Sequence, residues 1–278
     1  MTHACAVFHF NSALVRTPAH SVSRGLRADD RGDPSHAGVL QEHQAYVAAL
    51  RAAGVEVTVL PPLEAFPDSV FVEDPALVFA EGAILLRPGA PARAGEAAEI
   101  CPTLREIFGT VLELPAPGFV DGGDVLLTPD GLIIGLSART DRAGAQALLA
   151  SLAQLGHRGR IVDTPPGVLH FKTDCSLLDE ESVLSTARLA RSGVFHGFRQ
   201  ILVPAGEEAA ANALRVNDVV MVAAGFPKTI EMLDQLGYKV VPVETTEIGR
   251  IDAGLSCMSL RWRRLGGRGA GPAHFPYD

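Results

Sequence analysis

The chain has 278 residues, of which 47 % are hydrophobic and 20 % charged, as expected for a globular protein with a substantial core. Its formal net charge of −8 argues against non-specific binding to nucleic acid or to an anionic membrane, and it is compatible with a small cationic substrate. No apolar run approaches the roughly 20 residues that span a bilayer, and the first residues lack the basic segment of a signal peptide. The four cysteines lie far apart with no C-x-x-C pair, so we expect reduced thiols in the cytoplasm.

Three segments predict a helix that ends at a glycine and is followed by a strand. In chain order, the helices are HAGVLQEHQAYVAALRAAG, RAGAQALLASLAQLG and FPKTIEMLDQLG, and the strands after them are VEVTVL, RIVD and YKVVPVE. The pattern predicts an α/β protein built from a recurring unit.

A hairpin precedes each of the later helices. FVEDPALVFAEGAILLRPG and FVDGGDVLLTPDGLIIGLS each contain two apolar runs around an EG or DG turn, and weaker copies follow at VLHFKTDCSLLDEESVLST and ALRVNDVVMVAAG. Taking Val72, Val120, Leu169 and Val216 as equivalent points, the separations are 48, 49 and 47 residues, a period typical of repeated supersecondary units.

Four units leave the first and last strands unpaired unless these two form a fifth unit together. We therefore predict a closed, five-bladed α/β propeller over residues 1–262, formed as a single domain. The alternative is an open α/β sheet with unrelated hairpins. Residues 263–278 are rich in glycine and arginine without periodicity, and we expect a disordered tail there.

Equivalent ends of propeller blades meet at one mouth of the central channel, so polar residues at matching positions of the repeats are predicted to converge. These residues are Asp68, Glu73, Asp74, Asp121, Asp124, His170, Lys172, Asp174, Asn217, Asp218 and Cys257. Each has a purely structural alternative: Asp68 and DGGD are good turn sequences, Glu73 and Asp74 suit a solvated loop, His170 suits a satisfied core histidine, and Cys257 suits an inert buried thiol.

Five motifs in order resemble the dimethylarginine dimethylaminohydrolase family of guanidine-modifying enzymes. They are FPDSVFVEDPALVF, DGGDVLLT, GLSARTDRAG, LHFKTDCS and RIDAGLSCMSLRW, and the likeness runs from LVRTP near residue 15 to Arg261. The resemblance implies a five-bladed pseudosymmetric α/β propeller of the pentein type. It also implies hydrolysis of asymmetric dimethylarginine and monomethylarginine to citrulline plus dimethylamine or methylamine.

The resemblance implies a role for each matching residue. Cys257 would be the nucleophile, His170 the general acid and base, and Asp121 the carboxylate that orients or assists His170; some members have glutamate at the position of Asp121. The substrate-binding residues would be Asp68, Glu73 and Asp74 at the guanidinium and amino groups, Arg93 and Arg139 at the α-carboxylate, and Leu26 and Ile251 at the pocket wall beneath a mobile loop, SRGLRADDRGDPSH.

This chemistry needs a soft nucleophile, a proton carrier and carboxylates that hold a planar cation, and it requires no metal or organic cofactor. The expected partner is a methylated L-arginine, and a homodimer is among the oligomeric states left open. Two alternatives remain: an arginine deiminase-like enzyme that releases ammonia, although those enzymes generally carry an inserted helical domain with no counterpart here, and a non-catalytic binding protein on the same fold.

Overall fold

The computed structural model describes residues 7–28 and 30–265 and contains five three-stranded sheets, each with an α-helix between its middle strand and its outer parallel strand. The strands are β1 (Ser12–Arg16), β2 (Glu56–Leu60), β3 (Ala76–Val78), β4 (Ala83–Leu85), β5 (Val111–Glu113), β6 (Val125–Thr128), β7 (Gly131–Leu136), β8 (Gly159–Asp163), β9 (Cys175–Leu177), β10 (Ser182–Ser185), β11 (Arg199–Leu202), β12 (Leu214–Val216), β13 (Val219–Ala223), β14 (Lys239–Val243) and β15 (Leu260–Trp262). The α-helices are α1 (His36–Ala52), α2 (Glu96–Ile107), α3 (Arg142–Gln154), α4 (Ala187–Ala190) and α5 (Pro227–Gln235).

Four of the five sheets have the same connectivity. An antiparallel hairpin is followed by a helix, which returns the chain to a third strand parallel to the second, as in the order β3–β4–β5. The remaining sheet has the order β15–β1–β2, so the last strand supplies the hairpin partner of the first strand. The five-bladed propeller closed by both ends of the chain is therefore confirmed.

The predicted helix–glycine–strand units form as expected. Helix α1 begins after Ser35, whose side chain accepts a hydrogen bond from the Gly38 N–H, and Gly54 follows the helix with a φ of 86°, a left-handed value that favours glycine. Helices α3 and α5 are likewise followed by Gly156 and Gly237 with positive φ. No helix among residues 7–28 and 30–265 is long and apolar enough to cross a membrane.

The fourth repeat differs from the sequence prediction. Val216 is the last residue of β12, whereas Val72, Val120 and Leu169 precede their first strands. Asn217 therefore lies in the β12–β13 turn with a φ of 52°, where its side chain bonds to the backbone of Phe10 and Ala53. The predicted convergence of Asn217 and Asp218 with the other polar residues is thus wrong, because the hairpin turn lies at the other end of the strands.

The innermost strands surround the propeller axis. Residues of β3, β6, β9, β12 and β15 line one common cavity, and the apolar clusters lie outside and between these strands, packed against the helices. The loops before these strands meet at one end of the axis and carry the site described next. The predicted tail falls mainly on residues 266–278, which lie outside the described residues.

Candidate active site

One pocket brings together every residue with a predicted catalytic or substrate-binding role except Glu73. Its lining is Leu26, Asp68, Phe71, Asp74, Arg93, Asp121, Arg139, Leu169, His170, Ile251, Asp252, Ala253 and Cys257. Most of these residues come from the N-terminal loop and from the segments before the first strands of four blades, whereas Arg93 and Arg139 lie between the second strand and the helix of their blades. The propeller closure makes them neighbours. Of the other polar residues that were predicted to converge, Asp124, Lys172 and Asp174 do not line the pocket: Lys172 binds Glu73 and Asp174 binds Thr186 and Arg188.

Cys257 lies in a 3-10 turn, Leu255–Met258, just before β15. Its N–H donates to the Gly254 carbonyl at 3.3 Å, and its own carbonyl accepts from the Glu73 N–H at 3.2 Å, which ties the turn to the first blade. The thiol is half-buried, and burial, followed by the charges of Glu73 and Asp74, raises the pKa of Cys257 to about 12. The free thiol is therefore protonated at neutral pH.

His170 is paired with Asp121 across two blades. The His170 Nε2 lies 2.9 Å from Asp121 Oδ2, and Asp121 Oδ1 accepts from the Gly89 N–H at 2.7 Å, which fixes the carboxylate. Burial, the largest influence, disfavours the imidazolium, but the charges of Asp74 and Asp121 outweigh it and raise the pKa of His170 to about 9. At neutral pH His170 carries a proton that it can donate.

Close backbone approach shapes this part of the site. A side chain at Gly123 would place its Cβ 2.9 Å from His170 Cγ and 3.0 Å from Asp74 Oδ1, so only glycine leaves room for both groups. Asp124, which follows, does not line the pocket. It accepts from Ser137, Thr140 and the Phe171 N–H and thereby anchors the His170 turn to the second blade.

Asp74 and Arg93 form a buried ion pair at the pocket wall. Arg93 also donates to both carboxylate oxygens of Glu96, at 3.0 and 2.6 Å, and to the Phe71 carbonyl at 2.9 Å. The remaining Asp74 oxygen accepts from the Gly123 N–H at 2.9 Å. Most of the Arg93 donors are thus used within the protein, and they fix Asp74 in place.

Arg139 differs from Arg93. It is half-buried at the pocket, and within the part of the chain that the structure describes its guanidinium has no hydrogen-bond or ion-pair partner. An unpaired guanidinium beside a pocket is available to a ligand carboxylate.

The N-terminal loop covers the pocket through polar contacts with its walls. The Leu26 N–H donates to Asp68 Oδ1 at 2.9 Å, and the Ala28 N–H donates to the carboxylate of Asp252. Burial raises the pKa of Asp68, against the opposing charge of Arg93. Leu26 and Ile251 complete the apolar part of the wall, as the sequence predicted.

Glu73 is the residue that the structure places differently. Its carboxylate accepts from Lys172 Nζ at 2.5 Å, from Ser256 Oγ at 3.0 Å and more distantly from Arg261, and it lines the cavity on the other side of the Cys257 turn. Adjacent carboxylates at positions 73 and 74 therefore face different cavities. The predicted contact of Glu73 with the ligand is not supported, although its charge acts on Cys257.

Sequence reasoning missed Asn212. Its Oδ1 accepts from the Ser256 N–H at 3.1 Å, and its side chain occupies the space beside Gly254, where a Cβ would lie 2.3 Å from Asn212 Cγ. A corrected alignment of the fourth repeat was the signal that could have identified it, because Asn212 precedes β12 as the other site residues precede their strands.

Asp74, Asp121 and His170 place one potential metal-ligating atom each within 4.8 Å of one another. The hydrogen bonds given above already pair these groups with Arg93, Gly89, Gly123 and one another. The two carboxylates and the histidine therefore fit a protonated imidazole held between carboxylates rather than a metal site. The Cys257 thiol lines the same pocket. Such a site can add a nucleophile to a planar cation and transfer a proton.

Comparisons with known proteins agree with the motifs. Residues 16–156 match the family model described as N,N dimethylarginine dimethylhydrolase, eukaryotic. The N(G),N(G)-dimethylarginine dimethylaminohydrolase of Pseudomonas aeruginosa is 42 % identical over 254 residues, which are 91 % of this chain and 100 % of that protein.

Two solved structures are similar over the same span. One is the enzyme from Pseudomonas aeruginosa as a cysteine-to-serine mutant complexed with citrulline, with a TM-score of 0.88, 42 % identity and coverage of 91 % of this chain and 100 % of that chain. The other is a histidine-to-glycine form of dimethylarginine dimethylaminohydrolase as an adduct with S-methyl-L-thiocitrulline, with a TM-score of 0.87, 42 % identity and coverage of 91 % and 99 %.

Proposed function

The chain belongs to the dimethylarginine dimethylaminohydrolase family, and we propose that it hydrolyses asymmetric dimethylarginine and monomethylarginine to citrulline plus dimethylamine or methylamine through a covalent intermediate on Cys257. The observation that carries this proposal is the meeting of Cys257, the His170–Asp121 pair and Asp74 in one pocket. The relatives bound to citrulline and S-methyl-L-thiocitrulline support the same substrate class.

The pocket suits a methylated arginine. Asp68 and Asp74 supply two buried carboxylates for the guanidinium and amino groups. Arg139 supplies an unpaired guanidinium for the α-carboxylate, and Arg93 assists from the same wall while it holds Asp74. Leu26 and Ile251 cover the aliphatic part of the substrate.

The bound cation activates the nucleophile. Without substrate the pKa of Cys257 is about 12, so little thiolate exists at neutral pH. A substrate guanidinium beside the thiol favours the thiolate, because an opposite charge nearby lowers its pKa. Cys257 then releases its proton to solvent, and its sulfur adds to the guanidinium carbon.

His170 transfers the protons of the two half-reactions. As an imidazolium it donates its proton to the departing dimethylamine while the carbon–nitrogen bond breaks, which leaves an S-alkylthiouronium on Cys257. The neutral imidazole then accepts a proton from a water molecule that attacks the same carbon. The carbon–sulfur bond then breaks, and the remaining proton of the attacking water is lost to solvent. Citrulline and the thiolate are released.

The decisive test is a product assay with arginine, monomethylarginine and asymmetric dimethylarginine as separate substrates. We expect citrulline with dimethylamine or methylamine from the two methylated substrates and little ammonia from arginine. Equal or faster turnover of arginine would assign the chain to the deiminase-like alternative. No citrulline from any substrate would favour the non-catalytic alternative.

We also propose a cytoplasmic location and a homodimer. The cysteines at positions 101, 175 and 257 are free thiols, which suits a reducing compartment. The oligomeric state is measured directly by sedimentation of the purified chain.

A further inference from the structure

A buried polar cluster lies behind the substrate pocket, on the side of the Cys257 turn that faces the cavity on the propeller axis. Its centre is the Glu73 carboxylate, and its other members are Lys172, Ser256 and Arg261. All four line the cavity on the axis, and none of them lines the substrate pocket. Glu73, Lys172 and Ser256 are buried, and the proposed reaction assigns no step to any of the four.

The Glu73 carboxylate connects the two turns that carry the proposed reactive groups. Its Oε1 accepts from Lys172 Nζ at 2.5 Å, and Lys172 lies in the 3-10 turn that begins directly after His170. Its Oε2 accepts from Ser256 Oγ at 3.0 Å, and Ser256 immediately precedes Cys257 in the same turn. The two carboxylate oxygens are thus bonded to two different turns.

Further hydrogen bonds fix this connection in place. The Glu73 N–H donates to the Cys257 carbonyl at 3.2 Å. Arg261, on β15, donates to Glu73 Oε1 at 3.3 Å and to the Ser256 carbonyl at 3.1 Å. Among the described residues, no hydrogen bond runs directly from the His170 turn to the Cys257 turn, so the connection through Glu73 is the polar link between them.

The physical character of the cluster suits positioning better than stabilisation. Burying a carboxylate and an ammonium removes both from water, and well-packed apolar side chains in the same space are often as stabilising or more so. Hydrogen bonds restrict the distance and the angle between donor and acceptor, whereas apolar contacts are non-directional. A hydrogen-bonded ion pair between two turns therefore fixes how far apart they lie.

We propose that Lys172 and Ser256 are positioning residues that act through Glu73 to set the spacing between His170 and Cys257. This role rests on the proposed function, in which the sulfur adds to the guanidinium carbon and the imidazolium protonates the nitrogen that leaves the same carbon. Both groups must reach neighbouring atoms of one bound substrate, and a misplacement of about 1 Å can slow such a reaction about a hundredfold.

Two reactions of Cys257 separate positioning from an effect on the thiol. Hydrolysis of dimethylarginine needs both the sulfur and the proton of His170. Alkylation by chloroacetamidine needs the sulfur alone: a carbon–sulfur bond forms, the carbon–chlorine bond breaks, chloride leaves, and the thiol proton goes to solvent. A change in the spacing of the two groups should therefore slow hydrolysis much more than alkylation.

Lys172→Met breaks the connection at the His170 turn. We expect kcat for dimethylarginine to fall at least about tenfold with KM within about threefold, because the cluster does not touch the substrate pocket. The alkylation rate constant should fall by about threefold at most, the part that loss of the nearby Lys172 charge can explain. Lys239→Met, an exposed change on β14, is the matched control and should leave both rates unchanged.

Ser256→Ala breaks the connection at the Cys257 turn with an uncharged substitution. It removes one hydrogen bond to Glu73 and leaves the Lys172 ion pair, so kcat should fall about three- to tenfold while the alkylation rate stays unchanged. This variant decides the question if Lys172→Met does not fold. Complete alkylation, counted by mass spectrometry, gives the fraction of folded sites in each variant, so both rates are expressed per folded site.

Each alternative role of the cluster gives a different result. Equal losses of hydrolysis and alkylation would show that the cluster acts on the thiol alone, and unchanged hydrolysis in both variants would show that it positions neither group. Either result would overturn the proposal. A wild-type protein that is alkylated by chloroacetamidine but does not hydrolyse dimethylarginine would overturn the proposed function itself, and this positioning role with it.

Discussion

The turns before β9 and β15 occupy equivalent places in two blades, and a cysteine lies at or near each one. Cys257 lies inside its 3-10 turn and reaches the substrate pocket. Cys175 follows its turn as the first residue of β9, where its thiol is buried and donates to the Phe171 carbonyl at 3.3 Å. Burial raises the pKa of both thiols, so position on the scaffold, rather than acidity, distinguishes them.

In the proposed reaction, the two turns supply different reactive groups. The β15 turn presents the sulfur, whereas the β9 turn begins after His170, which presents the proton carrier. Each turn is fixed to a neighbouring blade, the first through Glu73 and the second through Asp124. A propeller thus aligns two reactive groups that are far apart in sequence without a long loop between them.

Replacing each cysteine with alanine tests this comparison most strongly. Cys257→Ala should abolish citrulline formation while the thermal unfolding temperature stays close to that of the wild type, because Cys257 is the one cysteine among the described residues that line the pocket. Cys175→Ala should keep turnover within a few-fold and lower the free energy of unfolding by about 1 kcal/mol through the small cavity that it leaves. An active Cys257→Ala enzyme would contradict the nucleophile assignment.

The next largest effect is expected at the His170 turn. Asp121→Asn keeps the size of the side chain but removes a charge that raises the pKa of His170, so turnover should fall about a hundredfold or more. Because the pKa drops from about 9, the alkaline limb of the pH–rate profile should move to lower pH. Asp163→Asn, an exposed carboxylate on β8, is the matched control, and an unchanged profile in Asp121→Asn would remove Asp121 from the mechanism.

The rates at which alkylating reagents modify Cys257 and Cys175 test the difference between the two thiols in a second way. With neutral chloroacetamide, labelling of Cys257 should rise with pH across the range from 6 to 10 and stay unsaturated, because its pKa is about 12. At neutral pH we compare the labelling rate with cationic chloroacetamidine to the rate with chloroacetamide. This ratio of rates should be more than about tenfold larger for Cys257 than for a free thiol, since the cation favours the thiolate. Peptide mass spectrometry reads both sites, and Cys175 should stay unmodified. Equal ratios for Cys257 and the free thiol would argue against activation by a bound cation.

The sequence was sufficient for the propeller and for most of the site. The repeated apolar hairpins and the helix–glycine–strand units predicted the blades, and the unpaired end strands predicted the closure. The motif matches then predicted nine of the thirteen residues that line the pocket. These features depend on local pattern and on repetition, both of which are visible in one chain.

Two features could not be predicted, each for a physical reason. The fourth repeat lacks the acidic motif of the others, so Asn217 was aligned in place of the segment that contains Asn212. Glu73 and Asp74 are adjacent, and their division between two cavities depends on side-chain direction and on the distant partners Lys172 and Arg93. Pairing over such distances in sequence leaves no local signal.

The smallest effect is expected at Gly254, which connects the β15 turn to the missed residue Asn212. Its φ is −125°, a value open to alanine, so the cost of Gly254→Ala comes from the Asn212 side chain, 2.3 Å from the new Cβ. Displacing that amide frees the Ser256 N–H, and we expect a few-fold loss of kcat/KM and about 1–2 kcal/mol of stability. In an Asn212→Ala background the same substitution should cost much less, since the opposing side chain is gone and the two changes are coupled. If Gly254→Ala lowers kcat/KM and stability equally in both backgrounds, the role of Gly254 is not to make room for the Asn212 side chain.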